Sequence, residues 1–118
     1  MNHQHELTRY RGFAALSLKL PAMAVPALAG GLEHLDPAPT KRRAYTMGKL
    51  AQAYCQTGDV EQACDLGANA FTMATQLGDT ESLMEVRNVR VRLMPVETSR
   101  AVRAFDDRVL STLLTLPR

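Results

Sequence analysis

The sequence predicts an all-α fold of five or six helices arranged as stacked antiparallel hairpins. Three observations lead there. Met47, Leu50, Ala51 and Tyr54 fall at i, i+3, i+4 and i+7, one stripe of a helix, and after Gly58-Asp59 a second stripe runs through Val60, Ala63, Cys64, Ala70, Phe71, Ala74 and Leu77. Three Tyr, three Phe and no Trp stand against plentiful Ala, Leu and Met, which favours closely packed helices over sheets. Long alternating apolar–polar runs bounded by turn signals are absent, so strands have little support. A chain of 118 residues suits one domain and can bury a real core.

The elements come in order. Residues 6–19 form a first helix with Leu7, Tyr10, Ala14 and Leu18 on one face, ended by Pro21. A second, 23–35, carries Val25, Leu28, Leu32 and Leu35. Pro26 suits only its first turn, and Gly30-Gly31 costs about 2 kcal/mol relative to alanine, which marks a place to break. Residues 36–40 read as a turn, with Thr40 or Asp36 capping the next helix. Helices at 40–57 and 60–77 then meet at Gly58, suited to the left-handed residue past a helix end, and Asp59, suited to the N-cap with Gln62 placed for a capping box. Two alanine-rich faces joined by so short a turn must pack antiparallel. Asp79 caps a stretch at 80–93 with Leu83, Val86, Val89 and Leu93 inward, and Pro95 stops it. The last helix, about 97–115, lines up Val102, Phe105, Val109, Leu113 and Leu116. Residues 1–20 are set apart as an N-terminal helix or arm, and 21–118 as the repeat domain.

The spacing of the central pair resembles a tetratricopeptide repeat. Met47 takes the position usually held by Trp, Leu50-Ala51 that of Leu-Gly, Tyr54 that of Tyr, and Ala63 and Ala70 the small residues of the second helix. The sequence departs from the pattern at Gly67, where a large apolar residue is expected, and at Thr75, where Pro is common. Around this repeat lie Leu28-x3-Leu32-x2-Leu35-Asp36, Lys41-Arg42-Arg43-Ala44, Gly78-Asp79, Val86-Arg87-x2-Arg90-x2-Leu93-x-Pro95 and Ala101-Val102-Arg103-x-Phe105-Asp106-Asp107-Arg108. As a whole, residues from roughly 20 to 114 look like the C-terminal helical-repeat region of actinobacterial XRE-type (Cro/repressor) transcriptional regulators. In that family a separate N-terminal helix-turn-helix domain binds DNA, while the repeats mediate dimerisation or sense a ligand. The resemblance therefore implies the sensing or pairing half without its DNA reader.

Charge is segregated. Residues 1–49 carry a net +4, residues 50–86 a net −6 with no Lys or Arg, and residues 87–118 a net +4. Three solvated faces partly paired within the chain account for this, and steering of self-association is the sharper reading. Arg87, Arg90, Arg92, Arg100 and Arg103 lack the interleaved aromatics of a base-stacking platform, so direct nucleic-acid binding is disfavoured. Cys55 and Cys64 read as small buried hydrophobes in a reducing compartment, with a redox pair requiring Cα atoms within about 7 Å. The run from Phe13 to Gly31 mimics an export signal, but Lys19, Pro21 and Pro26 interrupt it and its leucine period continues to Leu35. A cytoplasmic chain without a membrane span is expected, since no run of 18 or more uncharged apolar residues exists.

Nothing in the spacing supports catalysis, a metal or a cofactor. All three His lie before residue 35, His3 and His5 in a frayed tail and His34 placed to meet a helix C-terminal dipole. Asp106 and Asp107 diverge by about 100° on a helix and pair instead with Arg103 and Arg108 on its surface. Partner binding is assigned to Tyr45, Lys49, Gln52 and Gln56 on the inner face of the 40–57 helix, a short groove suited to a helix or peptide. Dimerisation is assigned to Val102, Phe105, Val109 and Leu113, because a terminal helix must close an open apolar edge or lend it to a second copy. The expected function is a non-catalytic interaction module that binds a protein or peptide partner, itself as a homodimer, or a small effector. The alternatives are a nucleic-acid binder using the basic ends and an accessory or maturation factor for a partner enzyme.

Overall fold

Glycine followed by aspartate turns the chain twice, and both corners are built alike. In the computed structural model, which describes residues 3–117, Gly58 and Gly78 adopt the left-handed conformation at φ 80° and 64°. The Asp59 N–H reaches back to the Tyr54 carbonyl at 3.0 Å, and the Asp79 N–H to that of Ala74 at 3.0 Å. These bonds satisfy carbonyls that a helix end leaves orphaned. The chain is all-helical among the described residues: α1 His3–Ser17, α2 Pro21–Glu33, α3 Lys41–Thr57, α4 Val60–Leu77, α5 Thr80–Arg92 and α6 Arg100–Leu114, with a 3₁₀ turn at Met94–Val96. None of these helices is long and apolar enough to cross a membrane.

Caps set the boundaries. The Thr40, Asp59 and Ser99 side chains accept the N–H of Arg43, Gln62 and Val102 respectively. Asp79 precedes α5 as expected but makes no such cap; its carboxylate instead accepts the Ser82 hydroxyl. Pro21 begins α2 rather than merely ending α1, as suits a residue without an N–H in a first helical turn. Pro26 lies inside α2 on its solvent face, where the carbonyl it leaves unpaired can meet water. The expected break at Gly30-Gly31 does not occur, and α2 runs on to Glu33.

The first helix packs on the opposite face from the one its hydrophobic stripe suggests. Leu7, Tyr10, Ala14 and Leu18 do not form the inward face: Leu7, Tyr10 and Leu18 are exposed, whereas Arg9, Gly12, Ala15 and Leu16 are buried. The reason is backbone proximity. An added Cβ at Gly12 would come within 2.6 Å of Leu28 Cγ, and one at Gly31 would collide with Arg9 Cγ. Small residues let α1 and α2 approach, and the burial gained across their whole length outweighs the leucines left outside. Because Arg9 meets Gly31 and Gly12 meets Leu28, the two helices run antiparallel. Residues 3–17 are packed on α2 and α3 rather than standing off as an arm.

Pairings between helices give the remaining directions. Glu6 and Arg42, Arg9 and Thr46, and Leu16 and Gln56 align α1 with α3, and Ser82 and Glu85 face Lys41 and Gln52 to align α5 with α3. Likewise Asp65 and Thr72 face Arg108 and Thr112, so α4 and α6 share a direction. Met47, Ala51, Ala63, Cys64, Val86, Val89, Val102 and Phe105 form the larger core, and Leu28, Ala24 and Leu16 join Leu50 and Ala53 in a smaller one. Gly67 leaves the gap that Phe105 and Val89 fill, at 3.1 and 3.3 Å from where its Cβ would stand. The space beside this glycine is thus filled from α5 and α6.

Candidate functional site

The four side chains assigned to partner binding lie on one face of α3, between α1 and α5, and are largely engaged within the chain. Gln52 is 2% exposed and donates from Nε2 to the Glu85 carbonyl (3.1 Å) and carboxylate (2.8 Å). Lys49 Nζ meets the same carboxylate at 3.0 Å and stands over the Tyr45 ring. Gln56 donates to the Leu16 carbonyl at 3.1 Å, which ties the end of α1 to α3. Tyr45 receives Phe13 edge-on, with ring centroids 5.5 Å apart. Gln52 and Gln56 therefore act as struts, while half-buried Tyr45 and Lys49 remain near the surface. The signal for this was available: polar side chains at i, i+4, i+7 and i+11 beside an alanine-rich face suit a helix flanked on both sides.

Beside Tyr45 a cleft of about 310 Å³ opens between α1 and α3, lined by Arg9, Tyr10, Phe13, Lys41, Arg42, Tyr45, Asp79 and Glu81. Sequence reasoning missed it because it placed Tyr10 in the core and gave Arg9 no structural part. The Arg9 stem passes over Gly31, and its Nη1 donates to Thr46 Oγ1 at 3.2 Å. Desolvation first, and then the Arg42 charge, push the Arg9 guanidinium below the usual arginine range.

The residues assigned to dimerisation divide. Val102 and Phe105 are buried against α4 and α5 and serve the monomer's own core; Val109 is half-buried; Leu113 is 49% exposed. Leu110, Leu114 and Leu116 are exposed beside it. The exposed apolar surface of α6 thus lies in its last turns. Between α5 and α6 an apolar cleft of about 250 Å³ exposes edges of Phe71, Leu83, Val86 and Val109. Arg90 bridges the cleft, gripping Asp106 with Nε (2.9 Å) and Nη2 (3.2 Å), and also meets Glu97 at 3.6 Å. That carboxylate bond raises the Arg90 pKa. Arg108 reaches Asp65 and Asn69 on α4. Asp106 and Arg108 of α6 therefore tie helices together rather than pairing along its own surface.

The cysteines are free thiols, Cys64 buried and Cys55 half-buried. Burial pushes Cys55 up to about 11 and raises Cys64 as well, so both stay protonated near neutral pH, a poor state for a nucleophile. His5 belongs to ordered α1 and stacks on His34 with centroids 3.8 Å apart, while His34 Nδ1 donates to the Gly30 carbonyl at 2.7 Å at the end of α2. Among the described residues no group of three or more His, Cys, Asp or Glu is placed to hold a metal ion.

Comparison with protein-family models, with curated proteins and with solved structures finds no match to this chain.

Proposed function

We propose that the chain is a non-catalytic, tetratricopeptide-like interaction module, the ligand-sensing or dimerisation part of a bacterial transcriptional regulator. The observation that carries this reading is the unclosed apolar edge of α6. Leu110, Leu113 and Leu114 stand outside at i, i+3 and i+4, just beyond Val109, which lines the apolar cleft between α6 and α5. A contiguous patch of solvent-facing leucines supports an interaction surface. In a repeat array the terminal helix meets a cap, another copy or a partner, because its inner stripe has no further neighbour. Repeated glycine–aspartate corners and the shared direction of α1, α3 and α5 support the repeat arrangement. Segregated charge adds orientation: the α6 end is basic and the middle of the chain acidic.

The test is molar mass by light scattering at tens of micromolar. A dimer is expected, and Leu113→Lys with Leu110→Lys should return it to a monomer whose helical circular dichroism is unchanged. A wild-type monomer, with no change on adding these lysines, would remove the self-association half of the reading.

A further inference from the structure

The third hairpin of the chain stands open where the first two are shut. The α1 and α2 helices pack directly on each other, as do α3 and α4, whereas α5 rests on α3 and α4, α6 rests on α4, and the backbones of α5 and α6 hardly meet. The apolar cleft of about 250 Å³ between them follows from this. The Arg90–Asp106 pair spans it, and from there the groove extends along α5 to Leu83. An apolar groove between two helices is the kind of surface that takes a third helix by its apolar ridge.

Two exposed ridges bear on what fills it. On α6, Asp107, Leu110 and Leu114 fall at i, i+3 and i+7, within about 60° of one another around the helix, and all three are exposed. On α5, Met84, Arg87 and Val91 repeat that spacing, are likewise exposed, and bring Arg87 to the wall of the groove. The spacing is shared and the charges are opposite. Neither Arg87 nor Asp107 has a hydrogen-bond or ion-pair partner among the described residues, and Arg103, one turn before Asp107, makes no ion pair with it. Their neighbours Arg90, Asp106 and Arg108 are all paired within the chain.

We infer that the groove between α5 and α6 receives the outer ridge of α6 from a second copy of this chain, with Asp107 of one copy set against Arg87 of the other. Charge complementarity and position favour a second copy over a foreign helix. One chain carries both halves of the contact, the cation on the groove wall and the carboxylate at the head of the leucine ridge. Helix α6 is at once a wall of the groove and the bearer of the ridge. A two-fold axis beside it therefore lets each copy lend its ridge and receive the other's, as a closed dimer requires. Each α5 gains the neighbour that its own α6 does not supply. This inference rests on the reading of the chain as a self-associating module and adds the surface and the charge pair through which it associates.

Dilution series followed by light scattering, on the wild type, Arg87→Glu, Asp107→Arg and the double variant, test it. Each single reversal should raise the dimer Kd about tenfold, because each charge acts twice in a two-fold dimer, and the double variant should return to within about threefold of the wild type. Both positions are exposed, so the helical circular dichroism of all four proteins should coincide. In a mixture of ¹³C-methyl-labelled and unlabelled protein, isotope-filtered NOEs should run from Leu110 and Leu114 of one copy to Leu83, Met84 or Val91 of the other. Single variants that dimerise like the wild type, a double variant no tighter than either single one, or NOEs confined to α6 against α6 would overturn the groove while leaving self-association itself standing. A wild-type chain that stays monomeric would remove both together.

Discussion

At the corner between α1 and α2 the chain holds Lys19 at φ 58°, and at the corner between α3 and α4 it holds Gly58 at φ 80°. The bonds are the same: Leu20 N–H to the Ala15 carbonyl at 2.9 Å in one, Asp59 N–H to the Tyr54 carbonyl at 3.0 Å in the other. Beyond the corners the two hairpins part ways. The α3 and α4 helices close through apolar side chains alone, whereas α1 and α2 add to Ala15, Leu16, Ala24 and Leu28 two glycine contacts, with an arginine stem laid across one of them. Both hairpins bury side-chain area, and the α1–α2 hairpin also depends on how near its backbones come at Gly12 and Gly31. The open cleft beside Arg9 arises on the α1–α2 hairpin, because turning the small residues inward turned Tyr10 out toward α3.

The largest effect separating the two is expected at Phe105→Ala. That ring fills the gap at Gly67 and is 3% exposed, so truncation should cost about 3–5 kcal/mol in chemical denaturation. A cost below about 1 kcal/mol would mean that the α4–α6 contact is not held by side-chain area. The same experiment speaks to the α6 assignment, since a residue reserved for a second copy would show a concentration-dependent loss instead.

Adjacent glycines in α2 give the next test, with opposite signs. Gly31→Ala should destabilise by about 1–3 kcal/mol, because the new methyl meets Arg9 Cγ and the stem cannot move aside without unburying its guanidinium. Gly30→Ala meets nothing within 4 Å and should stabilise the helix by about 0.5–1 kcal/mol. Thermal melts of the two variants, side by side, read the difference. Equal signs would show that α1 and α2 do not approach closely enough for Arg9 to rest on Gly31.

Legibility divides along the same line. The bounds of α3 and α4 were readable almost to the residue, because Thr40, Gly58, Asp59 and Gly78 each have a local job that their chemistry announces. The α5 stripe of Val86, Val89 and Leu93 was readable for the same reason, as large apolar residues at helical spacing with a proline behind them. The inward face of α1 was not, since its signal is small size rather than hydrophobicity, and Arg9 reads as a solvent residue until Gly31 is known to lie beneath it. Tyr45 is half-buried, and its neighbours Tyr10 and Phe13 come from about 30 or more positions earlier in the chain, a distance over which helical periodicity carries no information.

The smallest effect concerns the corner itself. A left-handed residue with a side chain costs about 1–2 kcal/mol relative to its right-handed form, and glycine escapes that cost while losing more chain entropy on folding. Lys19→Gly should therefore stabilise the protein by about 0.5–1 kcal/mol, a rise in Tm of a few degrees, since Lys19 is exposed and gives up no packing. The mirror substitution Gly58→Lys should lose a comparable amount, because nothing within 4 Å of that position crowds a side chain and only the backbone conformation resists it. If both changes were neutral, the two corners would not share a conformation, and the likeness between the hairpins would be confined to their hydrogen bonds. If they moved stability in opposite directions by similar amounts, the turn would be one device built twice, with the lysine version tolerated because Leu28 and Gly12 hold α1 and α2 together beyond it.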